Sequence, residues 1–234
     1  MPRPWSILDF FLIVLGGVLA ATIFGAFVVV FEDNEVFFVL ALIGQYAGHL
    51  LVLWLIARRK GYPDFGFSVE GRDILYLGSG LFLQLALAVL FFPLTSLLLP
   101  EGDSAQQVAT DLAGLETTAA RIAAVVIAVV LAPVTEEIIF RGVLLKSLGD
   151  RRPRVIMALT ALIFACFHLI GLQPDRMLQA AAVVLPQLFI VGVVLAWVTL
   201  RTKRLGPAIF IHSGFNLLAA IVLLLPPELL ESVG

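Results

Sequence analysis

The sequence predicts an all-α fold: a polytopic membrane helical bundle of seven transmembrane helices. Three observations carry that expectation. Of the 234 residues, 61% are hydrophobic and only 14% are charged, whereas an ordinary soluble domain is about 45–50% apolar and about 25% charged. Mean hydropathy is +1.06. Seven stretches approach the roughly 20 apolar residues that a helical span needs, and the loops between them alternate in charge. The length suggests one domain, 1–234, with N-terminal helices in 1–120 and core helices in 121–225.

The first stretch, Ile7 to Phe31, is longer than the roughly 7–15-residue core of a secretory signal, so it is expected to remain as a span. The second, Val36 to Ala57, carries Gln45 and His49. These lie four apart on one helix face and are expected to be helix-packing contacts. The third, Ile74 to Leu99, contains Gln84 and a candidate break at Pro93. The fourth, Ile122 to Leu145, holds Glu136, Glu137 and Arg141. The fifth, Val155 to Ile170, is short and ends near His168. The sixth, Met177 to Leu200, is interrupted by Pro186, and the seventh, Pro207 to Leu225, contains His212 and Asn216. Pro100 to Arg121 is too polar to span and reads as a surface helix or loop. A re-entrant segment there, or a split at Pro186, would bring the spans to eight.

Basic groups follow the second, fourth and sixth spans: Arg58, Arg59, Lys60 and Arg72; Lys146, Arg151, Arg152 and Arg154; Arg201, Lys203 and Arg204. The other loops are mostly acidic, with Glu32, Asp33 and Glu35, then Glu101, Asp103, Asp111 and Glu116, then Glu228 and Glu231. Positive loops stay inside, so the N-terminus is expected in the cytoplasm and the C-terminus outside. Gly61 to Phe67 reads as a cytoplasmic loop with turn residues and aromatic anchors at the interface. Net charge is −2 with no basic patch, which gives no sign of a nucleic-acid partner. The single cysteine, Cys166, excludes an internal disulfide and a paired-cysteine metal site, and is expected to be a small core residue.

The fourth span sets the functional question. One charged side chain near the bilayer centre costs at least about 2.5–3.5 kcal/mol, so three in six residues point to pairing around a polar cavity. Glu137 and Arg141 are four apart and can pair, while Glu136 sits about 100° round the helix. Pro133 lies four before Glu137 and would free the carbonyl of Val129, opening space beside the carboxylates. Counted from the nearest basic loops, Glu136 lies roughly 15 Å, His212 roughly 12 Å and His168 roughly 21 Å into the membrane. His212 and Asn216 share a helix face, and Gly214 between them permits close approach of a helix or a substrate backbone.

This set suits amide hydrolysis, which needs an activated water, an oxyanion stabiliser and a proton donor to the leaving amine. A carboxylate beside an imidazole can deprotonate water, and a histidine and asparagine on one face can donate to the oxyanion. Glu136, His168 and His212 could instead hold a divalent metal such as zinc, with a fourth position open for water. Buried glutamate and histidine also form proton relays, so a proton-coupled transporter is an alternative, although the internal repeat of many transporters is absent.

Glu136-Glu137-x-x-x-Arg141, Phe164-x-x-x-His168 and His212-x-x-x-Asn216 together resemble the three motifs of the CAAX protease and bacteriocin-processing (CPBP, Abi) family, which includes the Ras-converting CAAX endopeptidase. The resemblance covers about Ile122 to Ala219. It implies an intramembrane endopeptidase in which Glu136 and His168 activate water, His212 and Asn216 stabilise the oxyanion, and Glu137 and Arg141 support them. It implies a family of typically eight spans whose members are classed among the metalloproteases. It also implies a membrane-associated protein or peptide as substrate, with prenylated C-terminal tails cut by eukaryotic relatives and bacteriocin maturation or self-immunity served by others. A non-catalytic immunity or scaffold protein of the same fold is the remaining alternative. Short loops and no targeting segment point to a bacterial plasma membrane.

Overall fold

The computed structural model describes residues 4–28, 34–99, 106, 110–112, 114–149 and 151–224. Of the acidic loop residues, Glu32, Asp33, Glu101, Asp103, Glu228 and Glu231 lie outside the described residues. Helix α1 runs Ile7–Val28, α2 Asn34–Lys60, and α3 Tyr76–Leu98 after a 3-10 turn at Gly71–Leu75. Helix α4 covers Thr118–Ser147, α5 Pro153–Phe167, α6 Met177–Thr202 and α7 Gly206–Leu224. The first six, α5 with its 3-10 extension, are long and apolar enough to cross a bilayer, and α7 is a shorter apolar helix over Gly206–Ile221. Each of the seven apolar stretches is thus a helix. No eighth long apolar helix occurs among the described residues.

Neither expected proline interruption occurs. Helices α3 and α6 run unbroken through Pro93 and Pro186. A proline deletes one backbone donor, and a membrane helix tolerates that where neighbouring groups re-satisfy the backbone. Near Pro93, Thr95 Oγ1 donates to the Phe91 carbonyl at 3.0 Å and Ser96 Oγ to the Pro93 carbonyl at 3.2 Å, although neither reaches the Val89 carbonyl four residues before the proline.

Lipid removes the hydrophobic drive between spans, so close helix packing depends on small residues. Gly80 of α3 and Gly214 of α7 face each other's backbones: a Cβ on Gly80 would sit 2.0 Å from the Ile211 carbonyl, and one on Gly214 2.1 Å from the Leu77 carbonyl. Gly214 therefore admits a helix. At the α1–α2 contact a Cβ on Gly17 would meet the His49 ring at 2.0 Å, in keeping with a packing role for His49. Outward faces stay apolar, with Phe82, Val89 and Leu97 of α3 exposed. Cys166 is exposed on α5 as well, not in the core as expected. A helix that is apolar all round carries no pattern telling which side meets the bundle.

Charges gather at one end. Lys60 pairs with Asp9 at 2.6 Å, Lys146 with Asp64 at 2.7 Å, and Arg204 grips Asp73 through both nitrogens at 2.8 and 3.0 Å. The Lys146 ammonium, helped by the Gly66 amide, holds the Asp64 carboxyl below its ordinary value. The start of α1, the α2–α3 loop, the end of α4 and the α6–α7 loop therefore share this end, as the charge alternation requires. The loop after α2 is not a free interfacial segment. Its Gly66 and Ser68 carbonyls accept the amides of Leu205 and Gly206, each at 3.1 Å, and Phe65 lies against Gly142. Toward the other end, Glu35 of α2 accepts from the amides of Glu116 and Thr117 and from the Thr117 hydroxyl, tying α2 to the start of α4.

Candidate active site

Helix α4 is not one regular helix. It is α-helical over Thr118–Val126 and Ala132–Glu137, with π-helical turns over Ile127–Leu131 and Ile138–Leu144. Both glutamates sit on the short α segment between the π turns, a distortion that recurs at functional sites. Pro133 explains part of this. In the first π turn the Ala132 amide reaches back five residues to the Ile127 carbonyl. The next donor in that pattern, aimed at Ala128, would be residue 133, which as proline has none. Asn216 of α7 fills the gap: its Nδ2 donates to the Ala128 carbonyl at 2.8 Å. The freed carbonyl is therefore that of Ala128, one residue before the Val129 expected from ideal α geometry.

Glu137 and Arg141 are fully buried and pair at 3.0 Å. Such a pair survives only when its other hydrogen-bonding groups are also engaged. Arg141 Nη2 donates to the Gly192 carbonyl at 3.2 Å, and the guanidinium stacks 4.7 Å from the centre of the Phe164 ring. The same Glu137 oxygen accepts from His212 Nδ1 at 3.0 Å. A buried carboxylate on Nδ1 fixes the imidazole's tautomer and direction, so Nε2 points the other way. It faces Glu136 Oε2 at 3.8 Å, beyond a direct hydrogen bond. Glu136 is the less buried glutamate, its side chain 20% exposed.

His168 closes α5. Its Nδ1 meets the Phe164 carbonyl at 2.9 Å, and its ring lies 4.9 Å from the Phe164 ring, edge to face. His212 packs on the same ring at 5.8 Å. Phe164 thus touches Arg141 and both imidazoles, which gives the Phe-x-x-x-His spacing its structural meaning. All three motifs meet, but the imidazole facing Glu136 is His212; His168 makes neither a hydrogen bond nor an ion pair with Glu136. Tyr46 of α2, buried, places its hydroxyl 3.4 Å from Glu136 Oε1. Sequence reading missed it, because one tyrosine in an apolar span carries no spacing signal toward α4.

Of the expected metal set of Glu136, His168 and His212, Glu136 and His212 face each other while His168 makes no hydrogen bond or ion pair with Glu136. Among the described residues no three histidine, cysteine, aspartate or glutamate side chains are grouped to hold an ion. His212 commits Nδ1 to Glu137 and His168 commits Nδ1 to the Phe164 carbonyl, which leaves Nε2 of each ring for a water, a substrate or an ion.

Residues 118–218, from the start of α4 through most of α7, match the family model described as Type II CAAX prenyl endopeptidase Rce1-like. No curated protein and no solved structure matches the chain. The matched region holds all three motifs and excludes Tyr46. Through it, residues 118–218 of this multi-pass chain are similar to the CAAX protease family of membrane-embedded endopeptidases.

Proposed function

We propose that the chain hydrolyses a peptide bond of a membrane-associated protein or peptide with water activated between Glu136 and His212. The observation that carries this is their opposition at 3.8 Å, with Glu137 fixing the far side of the imidazole. A water donating one O–H to Glu136 Oε2 and the other to His212 Nε2 turns its lone pairs toward a scissile carbonyl. Glu136 takes the proton as the oxygen attacks, and the tetrahedral intermediate collapses when that proton reaches the leaving amine. Asn216 spends one amide hydrogen on Ala128, and the other serves the oxyanion. His168, anchored through Nδ1, turns Nε2 to the substrate side as a second polar contact. The buried Thr135 Oγ1, Glu137 Oε2 and Arg141 Nε have no protein partner, which supports a hydrated pocket along α4.

The likeness to a CAAX prenyl endopeptidase makes a prenylated CAAX peptide the first probe. In proteoliposomes the wild-type protein is expected to cleave an internally quenched prenylated CAAX peptide. Glu136→Ala should lose that cleavage while remaining folded by size-exclusion chromatography. Equal cleavage by the variant contradicts the mechanism, and an inert wild-type protein contradicts the substrate class.

A further inference from the structure

We infer that Tyr46, in the half of the chain outside the matched family region, is a positioning residue for the Glu136 carboxylate. The inference rests on the reading of Glu136 as the group that takes the proton from water. A carboxylate on a helix can rotate, so a donor on its far oxygen helps to hold the near one toward His212. The Tyr46 hydroxyl donates to Oε1 at 3.4 Å, and the other oxygen, Oε2, is then the one that faces His212. The phenol therefore fixes the orientation of the carboxylate, with one oxygen held on Tyr46 and the other facing His212.

The ring is firmly seated. Tyr46 is 7% exposed and packs with Ile127 and Ala132 of α4, with Val39, Leu42 and Leu131 around them. Ile127 begins the first π turn and Ala132 follows its end, so the ring spans the distortion that sets where the glutamates point. From its own helix His49 meets the ring edge-on at 6.1 Å between centroids. His49 is in turn seated against α1 where Gly17 has no side chain. Gly17, His49, Tyr46 and Glu136 form a chain of contacts from α1 across α2 to α4. A packing role alone would need the ring, and phenylalanine would serve it equally well. The hydroxyl aimed at a partly exposed carboxylate is what packing leaves unexplained.

The test uses full-length protein in proteoliposomes with the quenched prenylated CAAX peptide. Tyr46→Phe keeps the ring and removes the donor. A hydrogen bond to a charged group is lost, and its length puts the effect at the low end of such bonds, so kcat should fall about 10-fold. KM should stay within about twofold, because the substrate is not touched. Tyr62→Phe, which removes a hydroxyl from the exposed loop after α2, should match the wild type. Glu136→Gln is measured alongside. If Glu136→Gln is dead and Tyr46→Phe keeps the wild-type kcat, Tyr46 has no positioning role and the reading of Glu136 stands. If Glu136→Gln cleaves normally, that reading falls and takes Tyr46 with it. Should Tyr46→Phe not fold, fluorotyrosines of graded acidity at position 46 preserve shape. A kcat that changes steadily with phenol acidity supports the inference, and a flat series overturns it.

Discussion

At the scale of single residues, the Glu137–Arg141 pair shows how the membrane interior sorts charge. Two ions at zero exposure are tolerated because each has several partners: Arg141 has a carboxylate, a carbonyl and an aromatic face, and Glu137 has a guanidinium and an imidazole. Removing one partner strands the other. Arg141→Leu is therefore expected to cost about 3–5 kcal/mol of stability, read as a large fall in unfolding temperature in detergent. Replacing both, Glu137→Leu with Arg141→Leu, should recover most of that stability yet leave cleavage low, because His212 loses the acceptor that orients it. Full activity in the folded double variant would show that His212 needs no such orientation. The pairing was legible from the spacing of four. What spacing could not show was that His212 shares the same Glu137 oxygen, since that contact joins residues 75 apart in sequence. The reading of Glu136 as the base is open to a direct test of metal dependence: extensive treatment with a zinc chelator should leave cleavage intact, and loss restored by zinc would show that an ion takes part.

At the scale of elements, α4 matters because it is irregular. The two π turns leave no periodic trace in a helix that is apolar on nearly every side, so only Pro133 hinted at them. Its consequence was readable in kind, an unpaired carbonyl near the glutamates, but not in register, because an α-helical count puts the gap at Val129 and the π turn puts it at Ala128. Pro133→Ala restores a donor that competes with Asn216 for Ala128. Cleavage is expected to fall about 10-fold while stability holds or rises, since an interior proline costs helix stability. Unchanged cleavage would separate Asn216 from the site. The α3–α7 contact has the opposite character, because glycine is required on both sides. Gly214→Val drives a side chain into the Leu77 backbone and should cost about 1–3 kcal/mol or more, checked by thermal unfolding. The prolines at 93 and 186 looked like breaks and are not: both helices run on through them, as membrane helices tolerate.

For the whole molecule, composition and charge alternation were enough to predict the seven helices and to place the basic loops together, because hydropathy and span length act on long windows. Side-chain facing was not legible, and Cys166 shows why: in lipid an exposed face and a buried face have the same composition. The shared basic end leads to a topology expectation. In a Cys166→Ser background, a cysteine at Ser147 should react with impermeant thiol reagent from the cytoplasmic side, and one at Glu116 from the opposite side. The reverse pattern would invert the orientation. The three motifs converge as the family likeness implied, and the half of the chain without motifs adds α2 to their surroundings. The central claim is that Glu136 and His212 act on one water. It is tested most directly by a double-mutant cycle on kcat/KM for Glu136→Gln and His212→Gln. Groups working as one unit are non-additive, so the double variant should be no slower than the worse single variant. Losses that multiply in the double variant would mean that the two side chains act independently, and would contradict the shared-water site.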